Sequence, residues 1–289
     1  MFQTVRFVLL LLFCVFSVWQ VSLAEERVLN VKVVSRGDDN AAYAIDMIRL
    51  GLNKFGTPFN LQIESEALSA NKLREELLAG KIDIIWTATN MDMEESALPV
   101  RIPLFKGLLG HRILLVHKDN QHLFDNVRSF DQVQTFKFGQ GSGWTDTTIM
   151  QANGLEVVTA TKYEGLFYMT DGKRFDAFPR GVHEPWGEMA ARPDLELSVD
   201  RNLMFVYKMP YYLIVAPNRP KLAAALESGL HQAIDDGSFD EIFFGNAMVK
   251  MVLQYANLQG RRIFTLKNPQ LPEKTPLTDE KLWIDISSL

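Results

Sequence analysis

Residues 73–118, LREELLAGKIDIIWTATNMDMEESALPVRIPLFKGLLGHRILLVHK, read as helix, glycine turn, buried strand, polar loop and a second long apolar strand. Leu73, Leu77 and Leu78 have helical spacing, and Gly80 ends that helix. Residues 82–86 form a short apolar run between turn signals, as a central parallel strand buried on both faces requires. The chemistry changes at its end. Thr87, Thr89, Asn90 and Asp92 follow the strand's carboxyl edge. Open α/β sheets hold ligands at that edge, because the loops fan apart there and helix N-termini converge. Trp86, Thr87 and Thr89 are therefore the first candidate contacts.

Upstream, the Val-rich residues 28–35 suit a first buried strand, which runs into Arg36-Gly37-Asp38-Asp39-Asn40. Ile45, Ile48, Leu52 and Phe55 then recur at helical intervals before Gly56, and residues 59–64 give another strand. The sum is β-α-β-α-β, and the right-handed crossover rule makes its three strands parallel. The first turn again faces the carboxyl edge, so Asp38 and Tyr43 join the candidates. An equal reading has Asp38, Asp39 and Asn40 capping the helix and Tyr43 packed in the core. The acidic Asp92, Glu94 and Glu95 have no His at ligand spacing and read as a solvated helix start, so no metal site and no cofactor are expected. Pro99, Pro103, Gly107 and Gly110 then break regular structure, and residues 111–117 are expected to be the strand that leaves the first lobe.

The pattern restarts downstream. Residues 137–140 read as a strand, Gly139-Gln140-Gly141-Ser142-Gly143 as a turn, and residues 145–152 as a helix. The glycines fall as GxGxG, which is neither a dinucleotide fingerprint nor a P-loop, and Ser142 lacks the GxSxG context of a nucleophile. What remains is a glycine-rich turn at a helix N-terminus, whose N–H groups can hold an anion. Ser142, Trp144 and Thr145 are candidates on that ground; the alternative is a tight turn with Trp144 packed inward. Strand 157–159, helix 163–169 and strand 175–179 follow, the last ending at Arg180-Gly181. Two readings stand for Arg180: a bidentate clamp on an anionic solute, or an ion pair with Glu184 or Glu188 on the next helix. His183 has no identifiable nucleophile or partner and reads as a surface or satisfied histidine. An enzyme could draw only on Glu164, Glu184 or His183 near Arg180. Residues 211–215 are the expected return strand, followed by helices over 220–236, 239–244 and 248–255. After Gly260 a tail carrying Pro269, Pro272 and Pro276 is expected to lie on the first lobe, tacked down by Trp283.

Composition sets the class. With 47% apolar and 22% charged residues, the 289-residue chain can bury an ordinary core. Arg6, the apolar residues 7–18, and Ser22 and Ala24 before Glu25 read as a cleavable leader over residues 1–24, an anchor being the competing reading. The sole cysteine, Cys14, lies inside that leader after Phe13, so neither lipidation nor a disulfide nor thiol catalysis is expected. The net charge of −5 carries no footprint for nucleic acid.

The Ala79-to-Ile85 run, its polar tip, the Arg101-Ile102-Pro103-Leu104 segment and the following strand resemble the first lobe of family 3 extracytoplasmic solute-binding proteins. Tyr168 to Ala177, YMTDGKRFDA, is similar to a second-lobe segment of that family, and residues 209–244 to its return crossover and closing helices. The resemblance spans residues 28–245 in order. It implies a two-lobed α/β fold of the type 2 periplasmic-binding-protein kind, with residues 25–117 as the first lobe, 118–210 as the second and 211–289 returning to the first. It also implies a monomeric, periplasmic protein that closes around a small solute, anionic or amino-acid-like, and hands it to a membrane transporter permease or receptor. Two departures stand out. The family's amino-acid binders carry Thr-x-x-Arg-Glu after the first-lobe strand, where this chain reads Thr89-Asn-Met-Asp-Met-Glu94. Where they carry a second-lobe acid, this chain reads Phe175-Asp-Ala-Phe-Pro-Arg180, with a cation close by. A sensory or interaction module on the same scaffold, or a periplasmic enzyme such as a dehydratase, are the alternative functions.

Overall fold

The computed structural model describes residues 28–286. The leader and Cys14 lie outside them. The first unit begins with β1 (Leu29–Ser35), α1 (Asp39–Phe55), β2 (Phe59–Ser65), α2 (Ala70–Leu78) and β3 (Ile84–Ala88). β1 runs parallel to both β2 and β3, as the crossover rule requires. Helix α1 starts where the Asp38 carboxylate accepts from the Ala41 N–H at 2.8 Å, and it ends at Gly56 in the left-handed region. After α3 (Met91–Ser96) and β4 (Leu98–Val100), the five-stranded sheet is completed by β11 (Tyr211–Val215), in the order β2-β1-β3-β11-β4. Its core joins Val31 and Val33 of β1 and Met47 and Ile48 of α1 to Leu226 of α8 (Pro220–Asp235), all wholly buried.

The second unit contains β5 (His111–His117), α4 (Phe130–Val133), β6 (Lys137–Gly141), α5 (Thr145–Ala152), β7 (Glu156–Ala160), α6 (Tyr163–Asp171), β8 (Phe178–Gly181), α7 (Pro185–Ala190), β9 (Leu197–Val199) and β10 (Leu203–Val206). Antiparallel neighbours β8 and β10 flank β5, and β6 pairs in parallel with β7. Phe138 and Phe205 meet edge-on in the core at 5.4 Å between centroids.

Two boundaries differ from the sequence reading. Residues 111–117 do not leave the first sheet; as β5 they form the centre of the second. A strand apolar on both faces needs both of them covered, which the centre of either sheet provides, and β11 already fills the place beside β3. The chain therefore crosses earlier, over residues 104–110, beside a return over 207–211. The two crossings are tied by Leu104 N–H to Tyr211 O at 2.9 Å and Tyr207 N–H to Gly110 O at 3.0 Å. The C-terminal tail is also not confined to the first unit. After α9 (Ser238–Gly245) and α10 (Ala247–Tyr255), β12 (Arg262–Thr265) adds to the edge of β10 in the second sheet. Only then does the tail come back, where Ile284 donates to Lys106 O at 2.8 Å and Trp283 Nε1 to Pro276 O at 2.8 Å.

Candidate functional site

The carboxyl edge of the first sheet faces the edge carrying β6 and β8 across a cavity of about 180 Å³. A wider chamber of about 810 Å³ shares Arg36, Asp38, Asn40, Trp144, Tyr163 and Glu184 with it. Side chains from both units therefore wall one continuous cleft.

On the first wall, Asp38 caps α1 and meets Arg36 Nε at 3.2 Å. Burial raises the Asp38 pKa, and Arg36 works against that rise. The Arg36 guanidinium reaches across the cleft to lie 4.8 Å from the Tyr163 ring centroid. Asn40, in the first turn of α1, donates from Nδ2 to Glu184 Oε1 at 2.8 Å, while its own Oδ1 is buried without a partner. Trp86 and Thr87 complete this wall at the end of β3.

The second wall is a buried ion network. Arg112 on β5 contacts Asp146 at 2.6 Å and Glu184 at 3.3 Å. Arg180 at the end of β8 pairs with Glu184 at 2.9 Å and Glu188 at 2.6 Å, and its Nε donates to both Glu188 oxygens at 3.0 Å. Tyr207 donates its hydroxyl to Asp146, and Tyr163 to Glu188 at 2.6 Å. Arg112 is 2% exposed and Arg180 4%. Burial alone would raise the Glu184 carboxyl, but Arg180, then His183 and Arg112, hold it at about 2. Glu188 is raised by burial and by the like charge of Glu184, with Arg180 opposing. The Trp144 ring packs on Gly141, where a Cβ would stand 2.1 Å from its Cε2, and lies 5.3 Å from the Arg180 guanidinium. Gly143 has a positive φ, and a Cβ there would stand 2.5 Å from Asn71 Oδ1 of α2, so glycine lets the two units meet.

Six of the sequence candidates, Asp38, Trp86, Thr87, Trp144, Thr145 and Arg180, line the smaller cavity, and Ser142 lines the wider one. Two do neither. Tyr43 is fully buried, donates to Leu104 O at 2.8 Å and stacks on Phe105 at 4.7 Å, because its place on α1 faces the core rather than the cleft. Thr89 is buried with its hydroxyl on Glu94 at 3.3 Å, and Glu94 of the acidic cluster is gripped by Arg101 at 2.8 Å. Arg180 is not a free clamp: its guanidinium is already taken by two carboxylates. Of the possible enzymatic set, Glu184 belongs to this network and Glu164 lines the wider chamber. Glu164 pairs with Arg192 at 2.7 Å. His183 is neither at the surface nor satisfied, the two states the sequence suggested: it is wholly buried and stacked on Phe105 at 4.1 Å, with neither ring nitrogen partnered. Arg112, Asp146, Tyr163 and Glu188 escaped the sequence reading as site residues. The one signal for Arg112 was a lone cation in the apolar run His111-Arg-Ile-Leu-Leu-Val, which has to find anions when buried.

No protein-family model and no curated protein matches the sequence. Two α/β units joined by adjacent crossings, with a cleft between facing sheet edges, define the two-lobed periplasmic-binding-protein fold. Solved structures with that fold are similar to this chain over most of their length. The arginine-, lysine-, histidine-binding protein ArtJ from the thermophilic bacterium Geobacillus stearothermophilus superposes with a TM-score of 0.57 at 13% identity, over 76% of this chain and 95% of that one. The substrate binding protein of an amino acid ABC transporter gives 0.56 at 12% identity, over 76% and 99%. The ancestral amino acid-binding protein AncCDT-1, a precursor of cyclohexadienyl dehydratase, gives 0.54 at 18% identity, over 76% and 94%.

Proposed function

We propose that the chain is an extracytoplasmic solute-binding protein of the family 3 kind, exported by its leader, which closes its two lobes around a small polar solute and presents it to a membrane transporter or receptor. The observation that carries this reading is a cavity walled by both units at facing carboxyl edges, with the backbone crossings beside it. Contacts between the walls hold it shut: Asn40 to Glu184, Arg36 over Tyr163, and Thr145 Oγ1 to Ala88 O at 3.4 Å. A solute that touches both walls binds the closed form more tightly than the open one, and that difference couples recognition to closure. Asp38, Trp86, Thr87, Trp144 and Thr145 are its proposed contacts. Arg180 supports that wall through its carboxylates and does not itself clamp an anion.

The test is a thermal-shift screen against amino acids, amines, small carboxylates, sugars and peptides, with small-angle scattering on each hit. A true ligand at about 100 times its Kd stabilises the fold by roughly 2.7 kcal/mol, a midpoint shift of a few degrees, and contracts the radius of gyration. Silence across the panel rejects solute binding. One observation favours a second reading, a sensory or interaction module: the buried arginines of the second wall, Arg112 and Arg180, are committed to that wall's own carboxylates. Recovery of a membrane partner by the purified protein, unaffected by any solute, would support it.

A further inference from the structure

Resting on the solute-binding reading, we infer that Glu184 is an internal anion standing where a solute carboxylate would otherwise be held, so that the cleft selects amine- or amide-bearing solutes without a carboxylate. The geometry of Glu184 carries the inference. Its carboxylate, 5% exposed, lines both chambers and collects donors as a bound anion would: Asn40 Nδ2 from the opposite wall at 2.8 Å, the Gly181 N–H at 2.6 Å, Arg180 at 2.9 Å and Arg112 at 3.3 Å. Both buried arginines of this wall are thereby spoken for. The other arginines of the smaller cavity are Arg36, paired with Asp38, and Arg74, half-buried with its Nη2 on the Asp92 carbonyl at 3.5 Å.

Charge and hydrogen-bond vacancy point the same way. Four arginines and four carboxylates line the smaller cavity, and Glu188 behind Arg180 adds a fifth carboxylate. A solute anion would find no net positive charge to hold it in a low-dielectric site, and a site without one discriminates against that competitor. Among the described buried polar atoms, the lining residues leave an acceptor, Asn40 Oδ1, and a donor, Arg112 Nε, without partners. An ammonium satisfies the acceptor, and an amide can satisfy both.

Two matched pairs test the selectivity: agmatine against L-arginine and cadaverine against L-lysine, each differing by one carboxylate. Titration of the purified protein should show the acids binding at least about tenfold more weakly than the amines. Glu184→Ala leaves Arg112 and Arg180 facing only Asp146 and Glu188, so the acids should gain and the order narrow or invert. Propionate, a stand-in for the missing side chain, should raise the midpoint of Glu184→Ala and leave the wild type unmoved. Should that variant fail to fold, Glu184→Gln keeps the shape and removes the charge, and discrimination unchanged in it overturns the inference. So does wild-type protein that takes an acid as tightly as its amine, or propionate that moves both proteins alike. No response of the wild type to any of the four probes or to the wider solute panel, with propionate rescue intact, rejects the solute-binding reading and this selectivity with it.

Discussion

On the first wall of the cleft the charged side chains sit at the rim, with Arg36 and Asp38 each about 32% exposed. On the second, Arg112, Arg180 and Glu184 are 2–5% exposed and interlocked. Both walls stand at the carboxyl edge of a sheet and both carry opposite charges. The rim pair can trade its partner for water or a solute at low cost, because exposed ion pairs contribute little. The buried network cannot. Each ion lost its hydration on folding and regains it only from its neighbours, so removing one strands another. One wall is adaptable and the other is fixed, and the solute meets both.

The sharpest way to break this contrast is Arg180→Ala. It leaves Glu184 and Glu188 buried with one cation fewer and should cost about 3–5 kcal/mol, read as a lowered urea midpoint with unchanged slope. A loss near zero would mean the network is not committed. The next effect is pH-dependent. Burial first, then the charges of Arg112 and Arg180 against the pull of Glu184, hold His183 at about 4 rather than the ordinary 6.5. The unfolded chain therefore takes up this proton before the folded one. The stability from the neutral ring is complete above pH 6.5 and is lost as pH falls toward 4, by up to roughly 3 kcal/mol. Glu188, shifted upward, acts in the opposite sense over part of that window. His183→Phe keeps the stack on Phe105 and should flatten the acid limb of the stability curve; a curve as steep as wild type would assign the acid sensitivity to the carboxylates.

Tyr43→Phe should cost about 1–2 kcal/mol through the lost hydrogen bond to Leu104 and leave every solute response intact, since the ring belongs to the core. A changed solute response would return Tyr43 to the site. The smallest effect belongs to the rim. Asp38→Ala should cost about 1 kcal/mol as a lost helix cap while altering the response to a solute that crosses the cleft. Equal losses for Asp38→Ala and Arg180→Ala would erase the difference between the walls.

The parallel start of the first unit was legible because each element carries its own period: Leu73, Leu77 and Leu78 in a helix, and the Val-rich β1 beside a buried β3. Helix α6 and the position of Arg180 at a carboxyl edge were legible for the same reason. Which sheet β5 joins was not, because an apolar strand announces burial on two faces without naming its neighbours. The role of Arg180 was legible only as a choice. Glu184 and Glu188 lie four and eight positions on, close enough to suggest pairing, but whether the guanidinium had capacity left depended on burial. The Arg112–Asp146 pair joins a strand to a helix start across the fold, and no local pattern connects them. Tyr43 misled because α1 turns one side to the cleft and another to the core, and the first turn touches both.

The C-terminal strand β12 bears on the order in which the molecule can be made. The first sheet lacks the strand beside β3 until residues 211–215 have been synthesised, and β10 keeps an unpaired edge until residues 262–265 arrive. Neither half can be completed while the chain is still growing through the other. A ribosome that stops short of β12 therefore releases a product with an open edge, the kind of surface on which chains stick to one another.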